Sequence, residues 1–141
     1  CFGFIQLIKR KSLLKVDLDI IFLGIYYIVV ILAYLFFEMI PINYRPILIE
    51  GAMEVSYPSS TTLLVLSVMP TVSFQNHRRI KNITIRNVIY IFIVLFSLFM
   101  VIGRTVSGVH WLTDIIGSIL FSIGLYLIYK SIVMRFDKNV N

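Results

Sequence analysis

Long apolar runs separated by short polar segments dominate this chain. The runs cover residues 18–40, 59–75, 87–103 and 111–130. A helix rises ~1.5 Å per residue and needs about 20 apolar residues to cross a hydrocarbon layer, so each run is long enough, or nearly so, to span a membrane. The second and third runs are short, and we expect them to begin or end in the interfacial region. The pattern predicts four transmembrane helices.

Composition supports this interpretation. Hydrophobic residues make up 59% of the 141 residues, charged residues only 14%, and the mean hydropathy is +0.93. These values are typical of membrane proteins, and no soluble domain fits between the runs. We therefore predict an all-α, polytopic membrane helix bundle that forms a single domain over residues 1–141.

The first eight residues, CFGFIQLI, are apolar but too few to span a membrane. The basic segment KRKSLLK follows them, which is the reverse of the order found in a targeting peptide. We interpret residues 1–8 as the end of a truncated preceding helix, and we expect further N-terminal spans in a longer protein.

The basic residues are distributed unevenly between the two ends of the predicted spans. Eleven of the thirteen lysines and arginines fall on one side, which the positive-inside rule assigns to the cytoplasm. The other two, Arg45 and Arg104, lie in the opposite loops together with Glu38, Glu54 and other polar residues. The distribution predicts a multi-pass protein of the cell membrane whose chemistry faces the extracytoplasmic side. The net charge of +6 requires no nucleic-acid partner, and its cytoplasmic part would attract anionic lipids.

The stretch GRTVSGVHWLTD places ionisable side chains between two apolar runs. If the last helix starts near Val109, His110 and Asp114 are four residues apart on one face, with Cβ atoms ~5–6 Å apart. The aspartate would then accept the proton of one imidazole nitrogen and leave the other as a nucleophile or base. Arg104 would reach the same place from the loop, because Gly103 and Gly108 allow the chain to bend back.

The other outer loop ends in SYPSSTT, which is a good helix start with hydroxyl caps. The N-termini of this helix and of the last helix would both face outward. Each would present unpaired N–H groups and a positive dipole end to an anion such as phosphate. Arg45 and Arg104 would add guanidinium groups suited to phosphate oxygens.

Simpler interpretations of these residues exist. Arg45 could be an interfacial residue that extends its charge to water, and Asp114 could pair only with Arg104 as a structural contact. A His-x-x-x-Asp pair can ligate a metal, but no second histidine or cysteine cluster lies on the outer side, so we predict neither a metal nor a cofactor. Ser118 and Ser122, four residues apart, are expected to pack helices together.

RTVSGVHWLTD resembles the third signature of the type 2 phosphatidic acid phosphatase superfamily, S-R-x-x-x-x-x-H-x-x-x-D. Gly103 replaces the serine, whereas Arg104, His110 and Asp114 match in type and spacing. The membrane branch of this family usually has six spans, so the resemblance covers essentially the whole chain and implies that about two N-terminal spans are absent.

The other two signatures are matched in part. SYPSSTT is similar to P-S-G-H at Pro58 and Ser59, with Ser60 in place of the glycine. EMIPINYRP resembles K-x-x-x-x-x-x-R-P at Arg45 and Pro46. The three signatures occur in the family's order, and all three lie in the predicted outer segments.

The resemblance implies metal-independent phosphoryl transfer from a lipid phosphate. His110 would attack phosphorus and form a phosphohistidine, and Asp114 would orient and charge-stabilise the imidazole. The phosphoryl oxygens would be held by the two arginines and by donors at the helix start, namely Arg45, Arg104, Ser59, Ser60 and Thr61. The substrate would be a lipid phosphate or a polyprenyl diphosphate, and the oligomeric state is left open.

Two departures from the family pattern affect this hypothesis. The family lysine falls at Glu38, and the family histidine that protonates the leaving oxygen falls at Thr61. Loss of a positioned acid costs on the order of 10²–10⁴ in rate, although a diphosphate, with a better leaving group, would tolerate it. Glu54 or Glu38 could supply the proton instead. A catalytically impaired member that binds lipid phosphates or scaffolds partners is the alternative, and a small transporter element is a third possibility.

Overall fold

The computed structural model describes residues 18–48 and 51–140. Within them the chain forms α1 (Leu18–Met39), α2 (Ser60–Arg79), α3 (Ile83–Val106) and α4 (Leu112–Val140). The prediction of an all-α fold is confirmed for this part of the chain. The predicted truncated helix at residues 1–8 lies outside the described residues.

Three of the helices are long and apolar enough to cross a membrane: α1, α3 and the segment Leu112–Phe136 of α4. Helix α2 does not reach the same hydropathy, so the prediction of four transmembrane helices is not confirmed. The reason lies in its surroundings, because α2 packs against all three other helices and most extensively against α3 and α4. A helix covered by protein needs fewer apolar side chains than a helix covered by lipid.

The polar side chains of α2 are buried between helices. Thr62, Ser67 and Thr71 are fully buried. The hydroxyl groups of Tyr27 and Thr71 share a hydrogen bond of 2.8 Å, and Tyr26 donates to the Ser67 carbonyl at 3.2 Å. Hydrogen bonding satisfies the hydroxyl groups of Tyr26, Tyr27 and Thr71, which is the condition for burying them, whereas the Ser67 hydroxyl has no partner among the described residues.

Serines of α4 allow it to approach α2 closely. Ser118 Oγ lies 2.7 Å from the Asp114 carbonyl in its own helix and 3.2 Å from the Ser59 carbonyl. Ser122 Oγ likewise lies 2.7 Å from the Ser118 carbonyl and 3.3 Å from that of Leu63. The prediction that the two serines pack helices together is confirmed.

The end of the bundle away from the outer loops contains a buried ion pair. Asp19, at the start of α1, accepts hydrogen bonds from Arg79 Nη2 at 3.0 and 2.7 Å. Arg79 lies in α2, whereas the apolar run 59–75 predicted that this helix ends before it. That prediction is wrong, because α2 continues to Arg79 and α3 begins at Ile83, after Asn82 caps it through Thr84 N and Ile85 N.

Because successive helices run in opposite directions, the ends of α1 and α3 meet the starts of α2 and α4 at one end of the bundle. The core near the other end is a cluster of Tyr26, Val30, Tyr129 and Val133. The outer surface of α3 is apolar, with Phe99 72% exposed, as expected for a lipid-facing helix.

Candidate active site

A short hairpin in the loop between α1 and α2 builds one wall of the site. Tyr44 and Val55 form an isolated antiparallel bridge. On either side of it, Arg45 N donates to the Glu54 carbonyl at 3.0 Å and Ser56 N donates to the Asn43 carbonyl at 2.9 Å. Sequence reasoning did not predict this pairing. We call residues 43–45 and 54–56 the outer hairpin.

His110 packs against the outer hairpin, and only one of its two ring nitrogens has a hydrogen-bond partner among the described residues. Its side chain is 2% exposed, and Nδ1 lies 3.0 Å from the Ser56 carbonyl oxygen. Because a carbonyl only accepts hydrogen bonds, Nδ1 carries the proton and Nε2 of the neutral ring carries a lone pair. Nε2 is buried and has no hydrogen-bond partner among the described residues. An unsatisfied buried nitrogen is costly, which indicates a site built to receive another group.

Asp114 lies close to the ring but does not take its proton. The carboxylate is fully buried; Oδ1 accepts from Asn43 Nδ2 at 3.1 Å, and Oδ2 accepts from Trp111 N at 3.0 Å. Oδ2 is 3.8 Å from His110 Nδ1. Helix α4 begins at Leu112 and not near Val109, so His110 precedes the helix instead of sharing a helical face with Asp114. The backbone carbonyl of Ser56 therefore takes the position that the sequence assigned to the carboxylate.

The electrostatic surroundings favour a neutral imidazole. Burial lowers the pKa of His110 below 6.5, and the positive charges of Arg104 and Arg45 lower it further. The Ser56 carbonyl and Asp114 act in the opposite direction and do not outweigh them. At neutral pH the ring is uncharged, so its contact with Asp114 is not an ion pair.

Arg104 approaches from a different element than predicted. It lies in the last turn of α3, which continues to Val106, and not in the loop. Its Nε is buried and has no hydrogen-bond partner within the part of the chain that the structure describes. No ion pair joins Arg104 to Asp114 among these residues, so the purely structural interpretation of that pair is wrong.

A cavity of about 450 Å³ opens beside the imidazole. Arg45 lines it, and Arg45 Nε lies 3.1 Å from Glu54 Oε2, within ion-pair distance but outside hydrogen-bonding geometry. Glu38, at the end of α1, also lines the cavity, as does Tyr34. The lining residues are Tyr34, Glu38, Arg45, Met53, Glu54, Val55, Tyr57, Pro58, Ser60 and His110.

The family model described as the PAP2 superfamily matches residues 20–138. The chain belongs to the PAP2 superfamily. Members of this superfamily are generally phosphatases, and together with the apolar helices this makes the chain a membrane member of a phosphatase family. Neither the curated proteins nor the solved structures gave a match.

The stretch SYPSSTT, which resembles the second PAP2 signature, lies at the start of α2. Ser59 is the N-cap residue, but its side chain makes no capping hydrogen bond, so the hydroxyl cap expected from the sequence does not form there. The Ser59 hydroxyl is fully buried and pairs with that of Thr62 at 3.1 Å. Ser60 lines the cavity, whereas Thr61, at the position of the PAP2 histidine, is half-buried and is not among the lining residues described.

Two contributors to this PAP2 site were missed by sequence reasoning. The Asn43 side chain holds Asp114 across 71 residues of chain, and the Ser56 carbonyl fixes the His110 tautomer across 54. A backbone carbonyl leaves no trace in residue type. Asn43 stands two residues before the Arg45-Pro46 pair, and this proximity was the only signal available.

Proposed function

We propose that this PAP2 protein hydrolyses a lipid phosphate or lipid diphosphate at the extracytoplasmic face through a phosphohistidine at His110. The observation that supports it best is the state of the ring: Nδ1 is committed to the Ser56 carbonyl, while Nε2 is buried without a partner. The low pKa of the ring keeps the Nε2 lone pair available at neutral pH. The basic residues concentrated at the opposite end of the bundle support the choice of face.

In the proposed reaction the Nε2 lone pair attacks phosphorus, and the bond from phosphorus to the leaving oxygen breaks. The ring becomes positively charged because Nδ1 keeps its proton. Asp114, 3.8 Å from Nδ1, stabilises that charge. A water molecule then attacks phosphorus, the P–N bond breaks, and inorganic phosphate leaves as His110 returns to its neutral form.

Binding of the phosphoryl group would use the two arginines and the start of α2. Arg45 shares the cavity with His110, and the charge of Arg104 reaches the ring. Ser60 and the first N–H groups of α2 would add donors at the positive end of the helix dipole. Phosphoryl transfer depends mainly on this kind of positioning and charge stabilisation.

Glu38 is the better candidate for the leaving-group proton. Glu54 is committed to Arg45, whereas Glu38 lines the cavity beside the Tyr34 hydroxyl. If Glu38 is the acid, Glu38→Gln should slow the hydrolysis of an alkyl phosphate on the order of 10²-fold and leave the hydrolysis of a diphosphate unchanged. Equal losses on both substrates would contradict this role.

The same reasoning favours a diphosphate as the substrate, since Thr61 supplies no acid in place of the PAP2 histidine. Purified protein in detergent should release phosphate faster from a polyprenyl diphosphate than from phosphatidic acid. Faster cleavage of the monoester would overturn this choice without affecting the phosphohistidine proposal.

The phosphohistidine proposal is tested by phosphate release and by trapping of acid-labile, base-stable label on the protein. His110→Ala should abolish both, and Lys81→Gln, in the loop between α2 and α3, should change neither. Label that persists in the His110 variant would contradict the assignment.

A second candidate function is lipid-phosphate binding with little turnover. It is supported by the ion pair between Arg45 and Glu54, which occupies a phosphate-binding arginine. Glu54→Gln frees Arg45 and should tighten the binding of inorganic phosphate. If the variant binds more tightly but still releases no phosphate from any lipid substrate, the binding function is the correct one.

A further inference from the structure

A basic groove lies between α2 and α4 at the end of the bundle away from the candidate active site. Its volume is about 570 Å³, and three basic side chains and no carboxylate line it. Lys130 makes no ion pair or hydrogen bond among the described residues, whereas Arg78 lies over the Phe74 ring at 5.5 Å and its Nε is 3.8 Å from Asp19 Oδ2, so the charge of Lys130 dominates the groove. The lining residues of this basic groove are Ser73, Phe74, His77, Arg78, Tyr126, Lys130 and Met134.

Helix geometry separates the basic groove from the active site. His77 lies 17 residues beyond Ser60 on α2, which corresponds to about 25 Å along the helix. Lys130 lies 16 residues beyond Asp114 on α4, or about 24 Å. The groove therefore does not contact a phosphoryl group held at His110, and any ligand in it would be a separate one.

An apolar cleft continues from the basic groove toward the middle of the bundle. Ser73 and Tyr126 line both spaces. The cleft has a volume of about 360 Å³, and its other lining residues are Leu66, Pro70, Tyr90, Ile93, Val94, Ser97 and Leu98. A cationic pocket at the end of the spans, joined to an apolar cleft at hydrocarbon depth, matches an anionic head group joined to acyl chains.

We propose that the basic groove binds an anionic phospholipid, with its phosphate at Lys130 and its acyl chains in the apolar cleft. Charge supports this occupant, because basic side chains near a membrane surface attract anionic head groups. The chain's own N-terminal residues 1–17 are a poor alternative, since they contain four basic residues and one acid and would be repelled. The positive-inside rule places the lipid in the cytoplasmic leaflet.

Native mass spectrometry of the purified protein in a neutral detergent tests this proposal. Phosphatidylglycerol should remain bound in preference to phosphatidylcholine at equal concentration. Lys130→Gln should weaken the phosphatidylglycerol complex about fivefold, the usual effect of one lysine near an anionic surface. Lys81→Gln removes the same charge from the nearby α2–α3 loop, where its side chain does not line the groove, and should weaken it roughly twofold or less at physiological salt.

Three outcomes would overturn the proposal. Equal losses in the two lysine variants would mean that only the general surface potential attracts the lipid. Binding of inorganic phosphate that also depends on Lys130 would identify a free anion as the ligand. A dimer that dissociates in Lys130→Gln would identify a second copy of the chain as the occupant.

Discussion

The hydrogen bond from Asn43 to Asp114 is the contact through which the outer hairpin and α4 support each other. Asn43 Nδ2 lies 3.1 Å from Oδ1 of a carboxylate that is fully buried. Hydrogen bonds to charged groups contribute ~1.5–3 kcal/mol, and a buried acceptor that loses its donor incurs a desolvation cost of similar size. We therefore expect Asn43→Ala to lower the free energy of unfolding by about 2 kcal/mol.

A double-mutant cycle with Asp114→Ala, followed by unfolding in mixed micelles with increasing SDS, measures this contribution. Without the carboxylate, Asn43→Ala should cost about 0.5 kcal/mol or less, because the two residues act through one contact. Asn87→Ala, at an exposed position of α3, is the matched control and should stay within about 0.5 kcal/mol of wild type. An Asn43 variant no less stable than the Asn87 control, or a cost unchanged in the Asp114 background, would refute the reasoning.

Further predictions concern the histidine and the packing around the cavity. Because the pKa of His110 in the folded protein is lowered from 6.5, the imidazole is protonated at a higher pH in the unfolded chain than in the folded one. The free energy of unfolding should therefore fall as the pH drops below 6.5 toward the folded pKa. The acid limb of kcat/KM should lie below 6.5, and Arg104→Gln should move it to higher pH; a limb that does not move would contradict the electrostatic role. A Cβ on Gly117 would lie 2.6 Å from the Tyr57 hydroxyl oxygen, so Gly117→Ala should cost about 1–3 kcal/mol in a detergent melt. Gly124→Ala, which has open space, should cost nothing, and equal effects of the two substitutions would contradict the steric argument.

The sequence predicted the number and order of the described helices but underestimated the length of three of them. Apolar length alone located α1 to within one residue. It underestimated α2, whose last turn contains Arg79 bound to Asp19. A basic residue looks like a loop residue until its acidic partner, 60 residues away, is known.

In the candidate site, side chains were easier to predict than their contacts. Spacing and resemblance selected His110, Asp114 and Arg45, and the structure brings these three together. The tautomer depends on a backbone carbonyl at Ser56, and this interaction arises only because the outer hairpin folds against α4. Residue types carry no information on such backbone contacts, so the tautomer of His110 could not be predicted from the sequence.

The charged side chains around the cavity bear on how it would accept an anion. Arg45 pairs with Glu54 and shares the cavity with Glu38, whereas Arg104 and Asp114 both act electrostatically on His110. Asp114 is held by its two hydrogen bonds and makes no ion pair with either arginine among the described residues. Glu54 does compete, since it holds Arg45 where a phosphoryl oxygen would bind. Under the proposed function, an entering phosphoryl group would displace Glu54 from Arg45 and approach Glu38, and the neutral imidazole would add no charge of its own. We therefore expect the glutamates to influence the affinity for a phosphoryl group as much as the arginines do.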